Sequence, residues 1–191
     1  LVGIVVSLPL GVVLALGRRS SLPFVRAASI VFIEVVRGVP FITVLFMANN
    51  MLPLFLPPGV ESDRYLRPLV GIALFSAAYM AEEVRGGLQT LPRGQYEGAM
   101  ALGLDYRRMM GLVVLPQALV LVIPGIVNNF IGLFKDTTLV SIVGVNDFLE
   151  ALGNAMRDPA WAGPSIFATG YAFAALFYFV FCYAMSRYSA A

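Results

Sequence analysis

Histidine is absent from the 191 residues, and cysteine occurs once, at Cys182. A lone thiol excludes an intramolecular disulfide, and without imidazole the usual zinc, haem and Ser-His hydrolase centres cannot be assembled. Charge is also scarce: 13% of residues are charged, against 59% hydrophobic. So few charges cannot cover the surface of a water-soluble fold, and the composition indicates an integral membrane protein embedded in a lipid bilayer. The formal net charge of +2 is too small for a basic nucleic-acid-binding surface, so no nucleic-acid partner is expected. Lysine is confined to Lys135, which lacks a preceding glycine run, so there is no Walker-type phosphate loop. Neither a soluble domain nor a low-complexity linker is visible.

What is abundant is apolar runs. A bilayer core of about 30 Å needs roughly 20 helical residues, and five stretches qualify as spans, giving an all-α polytopic membrane protein. Residues 1–17 carry no charge and are followed by Arg18 and Arg19. A signal peptide puts its positive charge before the apolar stretch, so a spanning helix is expected here. Because the chain starts without methionine inside this run, the native N-terminus is expected further upstream. The second span is 39–56, entered through Pro40. The third, 66–84, must take in Glu82 and Glu83, which then lie at the membrane edge. The fourth, 109–134, contains Pro116 and Pro124 and is expected to kink. The fifth is 163–186. Residues 22–36, apolar around Arg26 and Glu34, suit a helix lying along the interface. Residues 139–145 are too short to span and read as a re-entrant piece. Asn146 then caps a short amphipathic helix with Phe148, Leu149, Leu152, Ala155 and Met156 on one face.

Basic residues orient the spans. One side receives nine, Arg18, Arg19, Arg26, Arg37, Arg85, Arg93, Arg107, Arg108 and Arg187; the other receives Arg64, Arg67, Lys135 and Arg157. The side with nine is expected to be cytoplasmic, with the loop 57–63 outside.

Charges and amides within spans are functional candidates, each with a plainer alternative. Glu82 and Glu83 either form an interfacial pair bridged to Arg85, which stands at i+3 from Glu82, or line a translocation path. Lys135 and Asp136 cap the fourth span and pair locally, while Thr137 and Thr138 beside them are candidates for substrate contact. Asn128 and Asn129, four and five residues past Pro124, need partners in the membrane: a freed carbonyl, a neighbouring helix, or the ammonium or carboxylate of a solute. Asn49 and Asn50 read as interfacial. Tyr79 and the Phe/Tyr cluster of the fifth span read as packing or lipid-facing residues.

The cytoplasmic segment 85–105 contains a short helix over about 94–102, with Tyr96, Ala99, Met100 and Gly103 at helical spacing on one side. It is too short to be stable alone and needs a partner surface, its own bundle or another protein. At Glu97-Gly98-Ala99, Gly103 and the downstream Leu115-Pro116, the chain resembles the membrane subunits of bacterial ATP-binding-cassette importers, whose coupling helix lies in the EAA loop. Gly98 replaces the usual first alanine, and extra flexibility is expected there. Further matches narrow the resemblance to the polar amino acid permeases: Arg37-Gly-Val-Pro40, Ala78-Tyr79-Met-Ala-Glu82, Arg85-Gly86-Gly87, Pro92-Arg-Gly94-Gln95, Leu115-Pro-Gln-Ala118, Pro124 with Asn128, and Lys135-Asp-Thr-Thr-Leu139. The match covers about 17–188. Residues 41–46 and the tail Phe181-Cys-Tyr-Ala-Met-Ser-Arg-Tyr188 look most like the general L-amino-acid subgroup.

The resemblance implies a type I importer permease fold forming one transmembrane permease domain over 1–191, in the bacterial inner membrane. It implies two ATPase subunits that bind ATP and magnesium in place of this chain, a second permease subunit, identical or paralogous, and a periplasmic solute-binding protein. It assigns coupling to Arg93, Gln95, Glu97, Gly98, Ala99, Leu102 and Gly103, and no catalytic or metal-binding residue. The substrate path falls to Asn128, Asn129, Glu82, Thr137 and Thr138. The alternatives are an importer permease for another small solute, or a stand-alone secondary transporter using Glu82, Glu83, Lys135 and Asp136 as an ion relay. The second has no visible inverted repeat and leaves the loop without a role.

Overall fold

The structure is a computed structural model that describes residues 2–57 and 63–189, so most of the loop expected outside lies beyond the described residues. Helices account for its regular structure, and no strand occurs among the described residues. They form two compact units: Leu1–Val39 with Ala73–Asn129, and Pro40–Ile72 with Phe130–Ala191.

In the first unit, α1 (Val2–Arg18) ends where the apolar run meets its first arginines. Gly11 is required on its inner face: a Cβ there would stand 2.6 Å from the Met80 Cβ, so a larger residue would force the helices apart. α2 (Pro23–Gly38) starts on a proline, whose missing N–H costs nothing in a first turn, and buries Ser29 and Ile33. The helix expected over 22–36 is therefore present. It stops because Pro40 forces the preceding residue into extended geometry, Val39 having φ −104° and ψ 137°. α3 (Phe41–Met51), which belongs to the second unit, follows in the chain, with a 3-10 turn, Leu52–Phe55.

α4 (Leu66–Thr90) runs on through Glu82 and Glu83 without interruption. After Pro92 come α5 (Arg93–Ala101), a turn, and α6 (Tyr106–Arg108), capped by the Asp105 carboxylate, which accepts from the Arg108 N–H at 2.8 Å. The core of this unit gathers Ala15, Ile33, Ala81, Val84, Leu88, Ala99 and Val114 from α1, α2, α4, α5 and the helix beyond.

The fourth span differs from the single kinked helix expected over 109–134. Met109–Val114 is a π-helical turn, α7 (Leu115–Leu121) follows, and the helix then breaks at Val122 before α8 (Ile123–Asp136). Each proline accounts for one irregularity. Pro116 and Pro124 donate nothing to the carbonyls four residues earlier, and their rings crowd those carbonyls. Nor does the helix end near Phe134: α8 runs into a 3-10 segment, Thr137–Val143, ended by Gly144 at φ +78°. The segment read as a re-entrant piece is this continuation. α9 (Phe148–Met156) is capped by Asp147 and not by Asn146, the Asp147 Oδ1 accepting from the Glu150 N–H at 2.9 Å. A short turn, Pro159–Trp161, leads to α10 (Ile166–Ser189), whose Phe177 stacks on Phe148 of α9 with centroids 4.2 Å apart.

Among the described residues, Ile123–Val143 and Ile166–Ser189 are long and apolar enough to cross a membrane. The pair α2 and α3, if counted as one broken span, makes a third, and Val2–Arg18 is apolar but shorter.

Candidate functional site

α5 is held by its own bundle on one side and bare on the other. Ala99 is 4% exposed and packs into the core with Tyr96 and Leu104 beside it, whereas Met100 and Leu102 are 56% and 82% exposed. Arg93, Gln95, Glu97 and Gly98 are also exposed. The side expected to carry Tyr96, Ala99 and Met100 together is thus divided: Tyr96 and Ala99 turn inward and Met100 outward. Two polar clamps fix the helix. The Tyr96 hydroxyl donates to the Leu88 carbonyl of α4 at 3.0 Å, and the Gln117 amide of α7 donates to the Gln95 Oε1 at 3.0 Å.

The end of α5 explains its glycine. The Gly103 N–H donates to the Met100 carbonyl at 2.9 Å and the Leu104 N–H to the Ala99 carbonyl at 3.2 Å, the paired bonds of a Schellman termination. This geometry needs a left-handed residue, and Gly103 has φ +73°. A Cβ on Gly103 or on Gly98 would meet nothing within 4 Å. Backbone conformation, and not crowding of a first side-chain carbon, is therefore the reason for Gly103 within this chain.

Glu82 is the centre of an ion-pair cluster. Its Oε2 accepts from Arg85 at 2.6 Å, as the i+3 spacing predicted, and its Oε1 accepts from Arg18 at 2.8 Å. Arg37 approaches to 3.7 Å, and Arg18 also bridges to Glu34 at 3.0 Å. The Glu82 side chain is 14% exposed, so several guanidiniums offset the cost of withdrawing a carboxylate from water. Arg37 also lies 5.3 Å from the ring centroid of Tyr79, which in turn packs on Phe75. Sequence reasoning missed Arg18, Glu34 and Arg37, since pairings across 16 to 64 positions leave no periodic signal. Glu83 stands apart: its carboxylate lies against Gly125 in the first turn of α8, where a Cβ would come within 2.8 Å of its Cδ.

Of the remaining substrate-path candidates, Asn128 is exposed on α8, and Asn129 is half-buried with an amide nitrogen that is sequestered and without a partner. The Thr137 and Thr138 hydroxyls, in the second unit, donate to the Phe134 and Lys135 carbonyls at 2.7 and 2.9 Å. Those donors are spent within the helix. Lys135 and Asp136 form no ion pair among the described residues, and the helix continues past them. The Asn50 amide donates to the Phe46 carbonyl at 3.0 Å.

Known proteins place this architecture. Residues 7–190 match the family described as the binding-protein-dependent transport system inner membrane component. Over 188 residues the chain is 58% identical to the inner membrane amino-acid ABC transporter permease protein YhdY of Escherichia coli (strain K12), covering 98% of this chain and 51% of that protein. It is 56% identical over 187 residues to the glutamate/glutamine/aspartate/asparagine transport system permease protein BztC of Rhodobacter capsulatus, covering 97% of this chain and 43% of that one. The chain thus spans about half the length of these relatives. A crystal structure of an amino acid ABC transporter with histidines superposes with a TM-score of 0.80 at 27% identity, covering 99% of this chain and 85% of that chain. The chain belongs to the binding-protein-dependent transport system inner membrane component family.

Proposed function

We propose, from that membership, that the chain forms half of the membrane pathway of an ATP-driven importer of polar L-amino acids in a bacterial inner membrane. It crosses the membrane five times, with the nine-arginine side in the cytoplasm. Two ATPase subunits bind ATP and magnesium and hydrolyse the nucleotide, and this chain contributes no catalytic residue. A second permease subunit completes the pathway, and a periplasmic binding protein delivers the solute.

The observation that carries this reading is α5: a short helix anchored inward at Ala99 and presenting Met100, Leu102 and the left-handed Gly103 outward. Such an element suits transmission. A displacement applied by the ATPases to its exposed face passes through the Tyr96 and Gln95 clamps into α4 and α7 as rigid-body motion, and so switches the spans between inward- and outward-open arrangements. A solute that prefers one arrangement biases the same equilibrium. Within the pathway, Asn128 and Asn129 are the candidates to meet the solute, and the unpartnered Asn129 amide makes it the stronger of the two. Glu82, saturated by arginines, acts as an organiser of the cytoplasmic end.

The test is reconstitution of the complex in liposomes with its binding protein and a panel of radiolabelled amino acids. ATP-dependent accumulation of polar amino acids is expected. Accumulation without ATP, or failure of the chain to co-purify with an ATPase, would refute the assignment; accumulation of a different solute alone would refute only the substrate class.

A further inference from the structure

Beside α5, within the first unit, lies a cavity of about 380 Å³ whose walls include Arg18, Arg19, Arg85, Gln89, Arg93 and Tyr96. That is the size of a small-molecule site and more than a lone ion needs. No carboxylate is among its lining residues. Two of the four guanidiniums, Arg18 and Arg85, share Glu82. Arg19 and Arg93 have no ion pair among the described residues. The walls are built in advance of any ligand. Arg19 donates to the Tyr96 hydroxyl at 3.1 Å and lies 5.6 Å from the ring centroid, while that hydroxyl donates onward to the Leu88 carbonyl. Glu82 holds the other two arginines by hydrogen bonds of 2.8 and 2.6 Å.

We infer that this cavity is a binding site for a phosphate-bearing anion. Guanidinium forks match phosphate oxygens in pairs, and a cluster of preplaced guanidiniums without a facing carboxylate has excess positive charge for a ligand to neutralise. Its position narrows the source. Arg18 ends the apolar α1 and Arg19 follows it; on the proposed topology, on which this assignment of source rests, that end faces the anionic cytoplasmic leaflet, and basic pockets between helices on that side suit phospholipid head groups. A soluble phosphate compound offers the same chemistry. Because Arg93 and Tyr96 belong to α5, Arg85 to α4, and Arg18 and Arg19 to the end of α1 and the turn after it, an occupied site ties α5 to both helices.

The site is independent of which solute is transported, and its test reads binding. The assembled complex is placed in nanodiscs of equimolar phosphatidylcholine and phosphatidylglycerol, and lipid retained after delipidation is counted by mass spectrometry. Retention of phosphatidylglycerol over phosphatidylcholine is expected, falling about fivefold in Arg19→Gln and further in Arg19→Gln/Arg93→Gln. Arg26→Gln, outside the cavity, should leave retention unchanged. Should the double variant not assemble, Arg19→Lys, which keeps the charge and loses the fork, is expected to fall between the parent and Arg19→Gln. Displacement of the lipid by millimolar inorganic phosphate supports a soluble source for the same site; persistence supports the lipid. Equal retention of the two lipids with no binding of inorganic phosphate, or unchanged retention in Arg19→Gln, would overturn the inference.

Discussion

Substitution at Gly103 separates two costs that usually coincide. Backbone strain acts within this chain, because φ is +73° and an L side chain in the left-handed region costs about 1–2 kcal/mol. A first side-chain carbon adds no clash of its own, because a Cβ there meets nothing within 4 Å. Gly103→Ala and Gly103→Leu should therefore weaken the helix end alike, and Gly103→Asn less, since asparagine tolerates this region. The Leu104 N–H, bonded to the Ala99 carbonyl at 3.2 Å, reports the strain directly: a loss of 1–2 kcal/mol opens the bond roughly 5- to 30-fold more often, read as faster amide hydrogen exchange. Solute-stimulated ATP hydrolysis by the assembled complex reports contact with a partner. There Gly103→Leu should abolish stimulation while membrane insertion persists, and Gly103→Ala should retain part of it. Unchanged Leu104 exchange in Gly103→Ala would refute the strain argument, and normal stimulation in Gly103→Leu would refute the docking of this turn on the ATPase.

Three further outcomes are expected. Glu82→Gln should cost about 2 kcal/mol of thermal stability in the purified complex, less than the roughly 3–5 kcal/mol of a fully buried pair because its arginines are 22–36% exposed; Arg37→Gln, at 3.7 Å, should cost least among the arginine variants, and a larger loss there than in Arg85→Gln contradicts the cluster. Asn129→Ala should weaken direct solute binding to the complex, measured without the binding protein, by about two- to tenfold for one lost hydrogen bond; Asn128→Ala should do so less, and lowered stability with unchanged binding would assign Asn129 to helix packing. With Cys182 replaced by serine, Asp63→Cys should react with an impermeant thiol reagent in intact cells and Gln95→Cys should not; the reverse labelling inverts the topology.

Membrane class, helical architecture and the short loop helix were all legible in the linear sequence. Each depends on quantities counted along the chain: charge scarcity, the length of apolar runs, a 3.6-residue period and the spacing of glycine and proline. The 24-residue α10 and the 9-residue α5 lie within a few residues of where those counts put them. Helix endings were less legible. Pro116 and Pro124 announced irregularity, but whether each would yield a kink, a π turn or a full break depends on which carbonyls the surrounding helices can satisfy. Asn146 and Asp147 are both good caps on composition. The observed cap is Asp147, because its extended backbone, φ −107° and ψ −174°, aims the carboxylate at the Glu150 N–H.

Tertiary structure alone decided the rest. Local spacing paired Glu82 with Arg85, yet Arg18 and Arg37 reach the same carboxylate only once α1, α2 and α4 have packed, through contacts such as Gly11 against Met80. Asn128 and Asn129 are identical in composition and adjacent in sequence, and only the rotation of α8 leaves one exposed and buries the amide of the other without a partner. Composition and period constrain each helix by itself. Which side chains meet across helices depends on relative rotation and depth, set by the packing of every neighbour at once, and no local pattern encodes that.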